Sequence, residues 1–148
     1  MPTDSSDTNE TFFDTSILIH AYDRSEPEKQ AIASVLVKKV FDEEMTGYVS
    51  NQILSELYFV LTEKKGMSKE DAENIVLSFL DSDSWIKVNY GVQTVKATVK
   101  AAKTLAVIFW DILIAETMKE NGISKIYTEN QKDFGKILGI KIVNPLKS

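Results

Sequence analysis

The chain has 148 residues, of which 43% are hydrophobic and 26% are charged, and its formal net charge is -5. These values are typical of one globular domain, and no apolar run approaches the roughly 20 residues of a membrane-spanning helix. The lack of cysteine excludes disulfides, thiolate metal sites and cysteine nucleophiles. The net negative charge argues against an overall positive field for nucleic acid, but it leaves room for a local basic patch.

The first ten residues, MPTDSSDTNE, are polar and acidic. We expect a disordered tail at residues 1–10 rather than a signal peptide. Residues 11–148 contain no linker or repeat, so they are predicted to form one domain. The lack of cysteine fits a reducing interior, and we expect a cytoplasmic protein without a membrane segment.

Short strands are predicted to alternate with helices through the rest of the chain. The predicted strands are residues 11–13, 48–49, 85–88, 123–128 and 140–143. A first helix is predicted to begin at residue 17, and further helices at residues 27–44, 51–65, 69–80, 92–106 and 109–122, with a loop or short helix before the last strand. This alternation predicts an α/β fold with a mostly parallel sheet covered on both faces.

Acidic residues recur where the predicted strands end, and the ligand crevice of an open α/β sheet lies at that edge. These residues are Asp14 after the first strand, Glu56 in the helix after the second, Asp111 in the helix before the fourth, and Glu129 and Asp133 after the fourth. Each has an ordinary alternative explanation. Asp14 and Asp111 could cap helices, Glu56 could lie on a solvated helix face, and loops are normally polar.

Asp111 is the most unusual of these acids. It is the single carboxylate in LAVIFWDILIA, residues 105–115, among ten apolar residues. A helix that is apolar on nearly every face is predicted to be buried. An unpaired charge there would cost several kcal/mol, so Asp111 needs hydrogen-bond donors, a cation or a water-filled crevice.

The combination of these acids points to a metal site. With no cysteine and one histidine, oxygen atoms dominate the available ligands, and carboxylates suit Mg²⁺ or Mn²⁺. Several clustered carboxylates repel one another unless a cation lies between them. Such an ion activates water and neutralises charge on a phosphodiester, which is the chemistry of metal-dependent nucleases.

Four segments in this order resemble a PIN-domain ribonuclease, in particular the VapC-type toxins of prokaryotic toxin–antitoxin pairs. The segments are FFDTSILI, SNQILSEL, FWDILIAETMKENG, and IYTENQKDF followed by KIVNP, and the similarity spans about residues 11–145. The resemblance implies a three-layer α/β/α fold with a parallel sheet of about five strands. It also implies Mg²⁺- or Mn²⁺-dependent hydrolysis of RNA, a homodimer and a possible antitoxin partner.

The resemblance also implies roles for individual residues. Asp14, Glu56 and Asp111 match the first three acids of the family. Ser16 matches the hydroxyl of its DTS signature, which helps to orient the first acid or a water molecule. On this basis we hypothesise that Asp14, Asp111 and Asp133 hold a divalent ion, and that Glu56 holds the attacking water or acts as its general base.

The fourth acid departs from the commonest family pattern. Asn130 stands where many members have an aspartate, but TENQKDF fits the variant T-x-N-x-x-D-F, in which the acid is Asp133. Asn130 can then offer a carbonyl oxygen. Glu129 is an adjacent candidate, although side-chain alternation points it away, so the choice between Glu129 and Asp133 stays open, as does the number of ions.

The RNA-binding side is less well defined by the sequence. Lys132 lies beside the expected site and is the best candidate for positioning RNA. His20 is expected to serve packing or capping. The large aromatic residues near the acids are expected to belong to the core or a dimer interface rather than to stack on bases; they are Tyr58, Phe59, Phe109 and Trp110.

The sequence fits two other functions less well than a metal-dependent nuclease. A haloacid-dehalogenase-like phosphatase would have D-x-D after the first strand, where this chain has Asp14-Thr15-Ser16, and a receiver domain would end a middle strand with an aspartate, where residues 89–91 read NYG. A non-catalytic scaffold of the PIN type, binding RNA or a protein partner, remains the alternative to a nuclease.

Overall fold

A computed structural model of the chain describes residues 10–147, which form five strands and seven helices. The strands are β1 (Glu10–Phe13), β2 (Thr46–Ser50), β3 (Trp85–Val88), β4 (Lys125–Tyr127) and β5 (Lys141–Val143). The helices are α1 (Thr15–Tyr22), α2 (Pro27–Phe41), α3 (Asn51–Glu63), α4 (Lys69–Leu80), α5 (Val92–Ala102), α6 (Phe109–Glu120) and α7 (Gln131–Phe134). The predicted disordered tail lies outside the described residues, except that Glu10 begins β1.

All neighbouring strands are parallel, in the order β3-β2-β1-β4-β5, which confirms the predicted α/β fold. Crossovers between parallel strands are almost always right-handed. Because the chain moves from β1 to β3 in one direction and from β3 back to β4 in the other, α1–α4 cover one face and α5–α7 the other. The helices contact one another within these two groups, so the molecule has three layers.

The centre of the sheet explains the apolar start of the domain. Phe12 and Phe13 in β1 are both fully buried, although successive strand residues point to opposite faces. A parallel strand covered on both sides needs apolar residues on both faces. The consecutive phenylalanines therefore hold β1, and the acid that follows it, inside the core.

An aromatic cluster fixes β3 against its neighbours. The ring of Trp85 lies 4.9 Å from those of Phe13 and Phe79 and 5.8 Å from that of Phe41, all in tilted or edge-on contacts. Each such pair contributes roughly 0.5–1.5 kcal/mol beyond its buried area. Gly47 makes room for the cluster, because a Cβ there would lie 2.9 Å from Trp85.

The order of the strands also determines where a ligand can bind. The crossovers that leave β1 and β4 run in opposite directions, and a crevice forms at such a switch point beyond the carboxyl ends of the strands. Asp14 follows β1 at this point, and its N–H donates to the carbonyl oxygen of Tyr127 in β4 at 3.0 Å. Asp14 therefore lies at the mouth of the crevice.

The sequence prediction is wrong in detail around residues 103–110. A helix was predicted to continue through residue 106, and the next helix was predicted to be buried along its whole length. Helix α5 ends at Ala102, and α6 begins only at Phe109. Ile108, Phe109 and Trp110 are 59%, 36% and 54% exposed, whereas residues 112–115 are buried. Hydrophobicity alone did not distinguish the exposed start of α6 from its buried part.

Among residues 10–147, every helix is too short or too polar to span a membrane.

Candidate metal centre

Asp14 is the most buried of the candidate acids, with 9% of its surface exposed. It is the N-cap of α1, where its Oδ1 accepts the N–H of Thr15 at 2.8 Å. Its Oδ2 accepts the hydroxyls of Thr128 at 2.7 Å and Ser16 at 3.3 Å. Burial raises the pKa of Asp14 and outweighs these hydrogen bonds, while the charge of Glu56 adds to the rise. The sequence offered capping and function as alternatives for Asp14, and the geometry accommodates both.

Glu56 is held toward Asp14 by its neighbours. Its Oε2 accepts the hydroxyl of Thr15 at 3.1 Å, and its Oε1 accepts the side-chain amide of Gln52 at 2.9 Å. Thr15 therefore bridges two acids, since its backbone N–H binds Asp14 while its hydroxyl binds Glu56. Glu56 lies on the site-facing side of α3 rather than on a freely solvated face.

Asp111 is half-buried in the first turn of α6 and does not cap it, because Ile108 is the N-cap residue. Burial, followed by the charges of Asp14, Asp133 and Glu56, raises the pKa of Asp111 to about 6. The amide of Asn130 acts in the opposite direction by donating to Asp111 Oδ2 at 2.7 Å. Nearby carboxylates thus destabilise the charged form of Asp111.

Asn130 and Asp133 complete the arrangement. The amide nitrogen of Asn130 also donates to Asp133 Oδ2 at 3.3 Å, so it lies between Asp111 and Asp133. The sequence suggested that Asn130 could offer a carbonyl oxygen, but in the structure its donor side faces the acids. Lys132, the residue expected to position RNA, is exposed next to Asp133.

Glu129 points away from these four acids. Its carboxylate binds His20 Nε2 at 2.6 Å and Lys29 Nζ at 2.8 Å. Although burial acts to raise it, the pKa of Glu129 is lowered overall by its contacts with Lys29 and His20. Only its backbone joins the site, where its N–H donates to Ser16 Oγ at 3.2 Å. His20 thus contacts Glu129 in the packing between α1 and the loop after β4.

The comparison with protein families identifies the domain. The family model described as PIN domain matches residues 11–137. The chain belongs to the PIN-domain family. The resemblance inferred from the four sequence segments is therefore confirmed over nearly the whole domain. A search of curated proteins found no match.

Solved structures with a VapC-type fold resemble this PIN-domain chain. VapC20 of Mycobacterium tuberculosis, a sarcin–ricin loop cleaving toxin, is 14% identical with a TM-score of 0.67, over 84% of this chain and 93% of that one. A toxin–antitoxin complex from Klebsiella pneumoniae is 20% identical with a TM-score of 0.61, over 91% of this chain and 97% of that one. VapBC2 from Rickettsia felis, bound to a promoter DNA fragment, is 17% identical with a TM-score of 0.61, over 90% of this chain and 97% of that one. At these identities the similarity shows a common fold.

The oxygen-only chemistry of the four acids fits a divalent cation such as Mg²⁺ or Mn²⁺. Burial is the main cause of the raised pKa values of Asp14 and Asp111, and the charges of neighbouring acids add to both. A cation among these acids would relieve the part that comes from repulsion. Among residues 10–147, the set whose candidate ligand atoms all lie within 4.8 Å is a different one, His20, Asp23 and Glu26. No three of the four acids form such a set, so an ion among them would bind at least one of them through water, as Mg²⁺ often does.

The sequence did not single out three residues that hold the acids in place. Thr15 and Thr128 donate hydroxyls to Glu56 and Asp14 across 41 and 114 residues of chain, and Gln52 binds Glu56 one helical turn away. Both threonines stand inside the quoted motifs DTS and TENQKDF. Their place in those motifs was the available signal, but their partners depend on the fold.

Proposed function

We propose that this PIN-domain protein is a metal-dependent endoribonuclease, with a centre formed by Asp14, Glu56, Asp111 and Asp133. The observation that carries the proposal is that the fold brings these four acids together from separate elements, through hydrogen bonds of Thr15, Thr128 and Asn130. Burial, and then the charges of the other three acids, raise the pKa of Asp111 to about 6. A fold stabilised only by packing gains nothing from such repulsion. Perturbed carboxylates in the crevice of an α/β sheet are typical of a functional site.

Asp14, Asp111 and Asp133 would hold Mg²⁺ or Mn²⁺, directly or through water. When bound, such an ion supplies Lewis-acid stabilisation of the negative charge that develops on a phosphodiester and lowers the pKa of water. The hydroxyls of Thr128 and Ser16 orient Asp14, and Asn130 sets the spacing of Asp111 and Asp133.

Glu56 acts as the general base in this proposal. The hydroxyl of Thr15 and the amide of Gln52 fix its carboxylate, so one oxygen can accept a proton from the attacking water. The water attacks phosphorus in line while the P–O bond on the opposite side breaks, and the departing sugar oxygen takes up a proton from solvent. No covalent intermediate with the protein is needed. Lys132, exposed beside Asp133, contacts a phosphate of the bound strand.

We further propose that the protein is the toxin of a toxin–antitoxin pair in the cytoplasm. The structures of the Klebsiella pneumoniae and Rickettsia felis proteins are complexes of this kind. Between α3 and α4, a cavity of about 580 Å³ could take an apolar segment of an antitoxin. Its apolar lining is formed by Leu54, Tyr58, Val76, Leu77 and Leu80.

A homodimer is also proposed, through an apolar stripe on α5. Val92, Val95 and Val99 are 83%, 37% and 54% exposed. Their spacing of three and four residues places them on one side of the helix. Exposed apolar side chains in a contiguous stripe favour an interface.

The direct test is cleavage of single-stranded RNA by the purified chain, with a chelator and with added Mn²⁺ or Mg²⁺. We expect cleavage only with the metal, and loss of cleavage in Asp14→Asn. Asparagine is as good an N-cap as aspartate, so this variant should fold. Metal-dependent cleavage that survives in Asp14→Asn would refute the assignment, and a folded wild type that binds RNA without cutting it would favour a scaffold.

A further inference from the structure

A second concave surface adjoins Glu56 on the side away from Asp14. It is a cavity of about 610 Å³, and its lining includes Glu56, Gln52 and Asn51 of α3, Asn89 and Tyr90 after β3, and Trp110 of α6. The cavity lies at the carboxyl ends of β2 and β3, on the same edge of the sheet as the four acids. The proposed metal centre uses only Glu56 and Gln52 of this lining.

The aromatic residues of the cavity are available to a ligand. Trp110 is 54% exposed and Tyr90 is 36% exposed, whereas the other tryptophan, Trp85, is 1% exposed. Of the two expectations for Trp110, the core is therefore excluded, and a dimer interface stays a prediction. Large aromatic faces that remain open to solvent beside a crevice are surfaces on which a planar group can stack.

The charge of the cavity indicates which part of a nucleotide it accepts. No lysine or arginine is among the residues that line it, and Glu56 is its one carboxylate. A phosphate would therefore meet a negative charge without a cation. A neutral base is favoured instead, because the amides of Asn51 and Asn89 can both donate to and accept from its edge.

Gln52 connects this cavity to the proposed general base. Its amide nitrogen donates to Glu56 Oε1 at 2.9 Å and lies 3.4 Å from the carbonyl oxygen of Trp110. The same side chain therefore contacts the acid and the backbone that carries the indole. A group stacked on Trp110 is thereby held next to the carboxylate that receives the proton.

We propose that this cavity binds one unpaired nucleobase of the RNA strand, stacked on Trp110 with its edge facing Asn51 and Asn89. The base then places its neighbouring phosphodiester next to Glu56 for cleavage. This proposal rests on the proposed ribonuclease function, but it concerns the recognition of an unpaired base rather than the chemistry of the four acids.

The test is a binding measurement that does not depend on cleavage. Full-length Asp14→Asn, alone and combined with Trp110→Ala, Trp110→Phe or Phe59→Ala, is titrated with a fluorescently labelled single-stranded oligoribonucleotide. Phe59 is a matched control, because it is 56% exposed on α3 and outside the cavity. We expect Trp110→Ala to weaken binding roughly 5- to 150-fold, the range of one stacked base.

The controls set the expected contrast. Trp110→Phe keeps an aromatic face and should stay within about 5-fold of the parent, and Phe59→Ala within about 2-fold, since neither removes a stacking surface in the cavity. Equal binding by Trp110→Ala and Phe59→Ala would overturn the proposal. A change of oligomeric state in Trp110→Ala without a change in RNA affinity would also overturn it, because Trp110 would then belong to a protein interface.

A second readout separates this proposal from the ribonuclease assignment. Nucleoside monophosphates should quench the emission of exposed Trp110, and no such quenching should occur in Trp110→Phe, where buried Trp85 is the remaining tryptophan. If the wild type fails to cleave RNA but shows this quenching, the nuclease assignment fails and the base-binding site stands. If it cleaves RNA and neither quenching nor the Trp110→Ala effect appears, the base-binding site fails and the nuclease assignment stands.

Discussion

Replacement of Asp111 by asparagine tests whether burial and the neighbouring acids destabilise the charged form of Asp111 in the metal-free protein. Burial and then the charges of the other three acids raise the pKa of Asp111 from 3.8 to about 6. Asparagine has nearly the same shape, and its carbonyl oxygen can still accept the hydrogen bond that Asn130 donates to Asp111 at 2.7 Å. The variant therefore removes the charge with little change in packing.

The sign of the effect follows from proton binding. Between about pH 4 and pH 6, the folded chain keeps a proton on Asp111 that the unfolded chain has already lost. The contribution of this group to folding stability is therefore lost as the pH rises through this range, and above it the ionised carboxylate destabilises the fold. Asp111→Asn removes that penalty, so it should stabilise the metal-free protein at pH 7.5 and have little effect near pH 4.

The magnitude follows from the size of the shift. Without screening by solvent, a rise in the pKa of Asp111 from 3.8 to about 6 would correspond to a loss of about 3 kcal/mol in the free energy of unfolding. Because Asp111 is only half-buried, we reduce this to about 1–2 kcal/mol. For a domain of this size, that is a rise in melting temperature of about 2–6 °C.

The assay is thermal unfolding with a chelator at several pH values, followed by addition of Mn²⁺. We expect Asp111→Asn to melt above wild type at pH 7.5 without metal, and Mn²⁺ to raise the melting temperature of wild type much more than that of the variant. Asp83→Asn, at an exposed aspartate outside the site, serves as the control for removing one negative charge. A variant that melts at or below wild type in chelator at pH 7.5 would refute the repulsion argument.

Three further predictions address the surroundings of the site. Thr128→Val removes the hydroxyl that donates to Asp14 at 2.7 Å, so it should lower the free energy of unfolding, measured by chemical denaturation, by about 1–3 kcal/mol. Thr128→Ser keeps the hydroxyl and should behave like wild type, and equal losses in both variants would contradict its role. Asp133→Asn should lower the rate of Mn²⁺-dependent cleavage at least about 10-fold. Glu129→Gln should keep the rate within about 3-fold, because the side chain of Glu129 binds His20 and Lys29 instead. The reverse order of the two effects would exchange the roles of Asp133 and Glu129. Val99→Glu places a charge in the apolar stripe of α5 and should convert the dimer to a monomer, as measured by sedimentation velocity. Lys100→Glu on the same helix should leave the dimer intact. A dimer that persists in Val99→Glu would exclude the α5 stripe as the interface.

The alternation of strands and helices could be predicted because it depends on local patterns. The run Thr11–Phe13, now part of β1, is continuously apolar after its first residue and precedes Asp14, as a central parallel strand requires. Local patterns also placed each acid near the carboxyl edge of the sheet. The strand order, which makes β1 and β4 neighbours, required the handedness of the crossovers as well.

The contacts inside the site could not be predicted in the same way. The hydroxyl of Ser16 lies two residues from Asp14 and could be expected from the DTS motif, but the hydroxyls that Thr128 donates to Asp14 and Thr15 donates to Glu56 come from residues distant in sequence, so no local period reveals them. The sequence could not show that the carboxylate of Glu129 contacts His20 and Lys29, whereas that of Asp133 lies beside Asn130. The exposure of Trp110 was missed because an apolar run was taken as a sign of burial, although α6 emerges at the surface before it enters the core.

The most direct test of the central claim is a crystal of the wild-type chain soaked in Mn²⁺, examined by anomalous diffraction. We expect a manganese peak among the carboxylates of Asp14, Asp111 and Asp133, and no such peak in Asp14→Asn crystals. A peak only at His20, Asp23 and Glu26, whose ligand atoms lie within 4.8 Å of one another, would refute the proposed metal centre, as would full Mn²⁺ occupancy in Asp14→Asn.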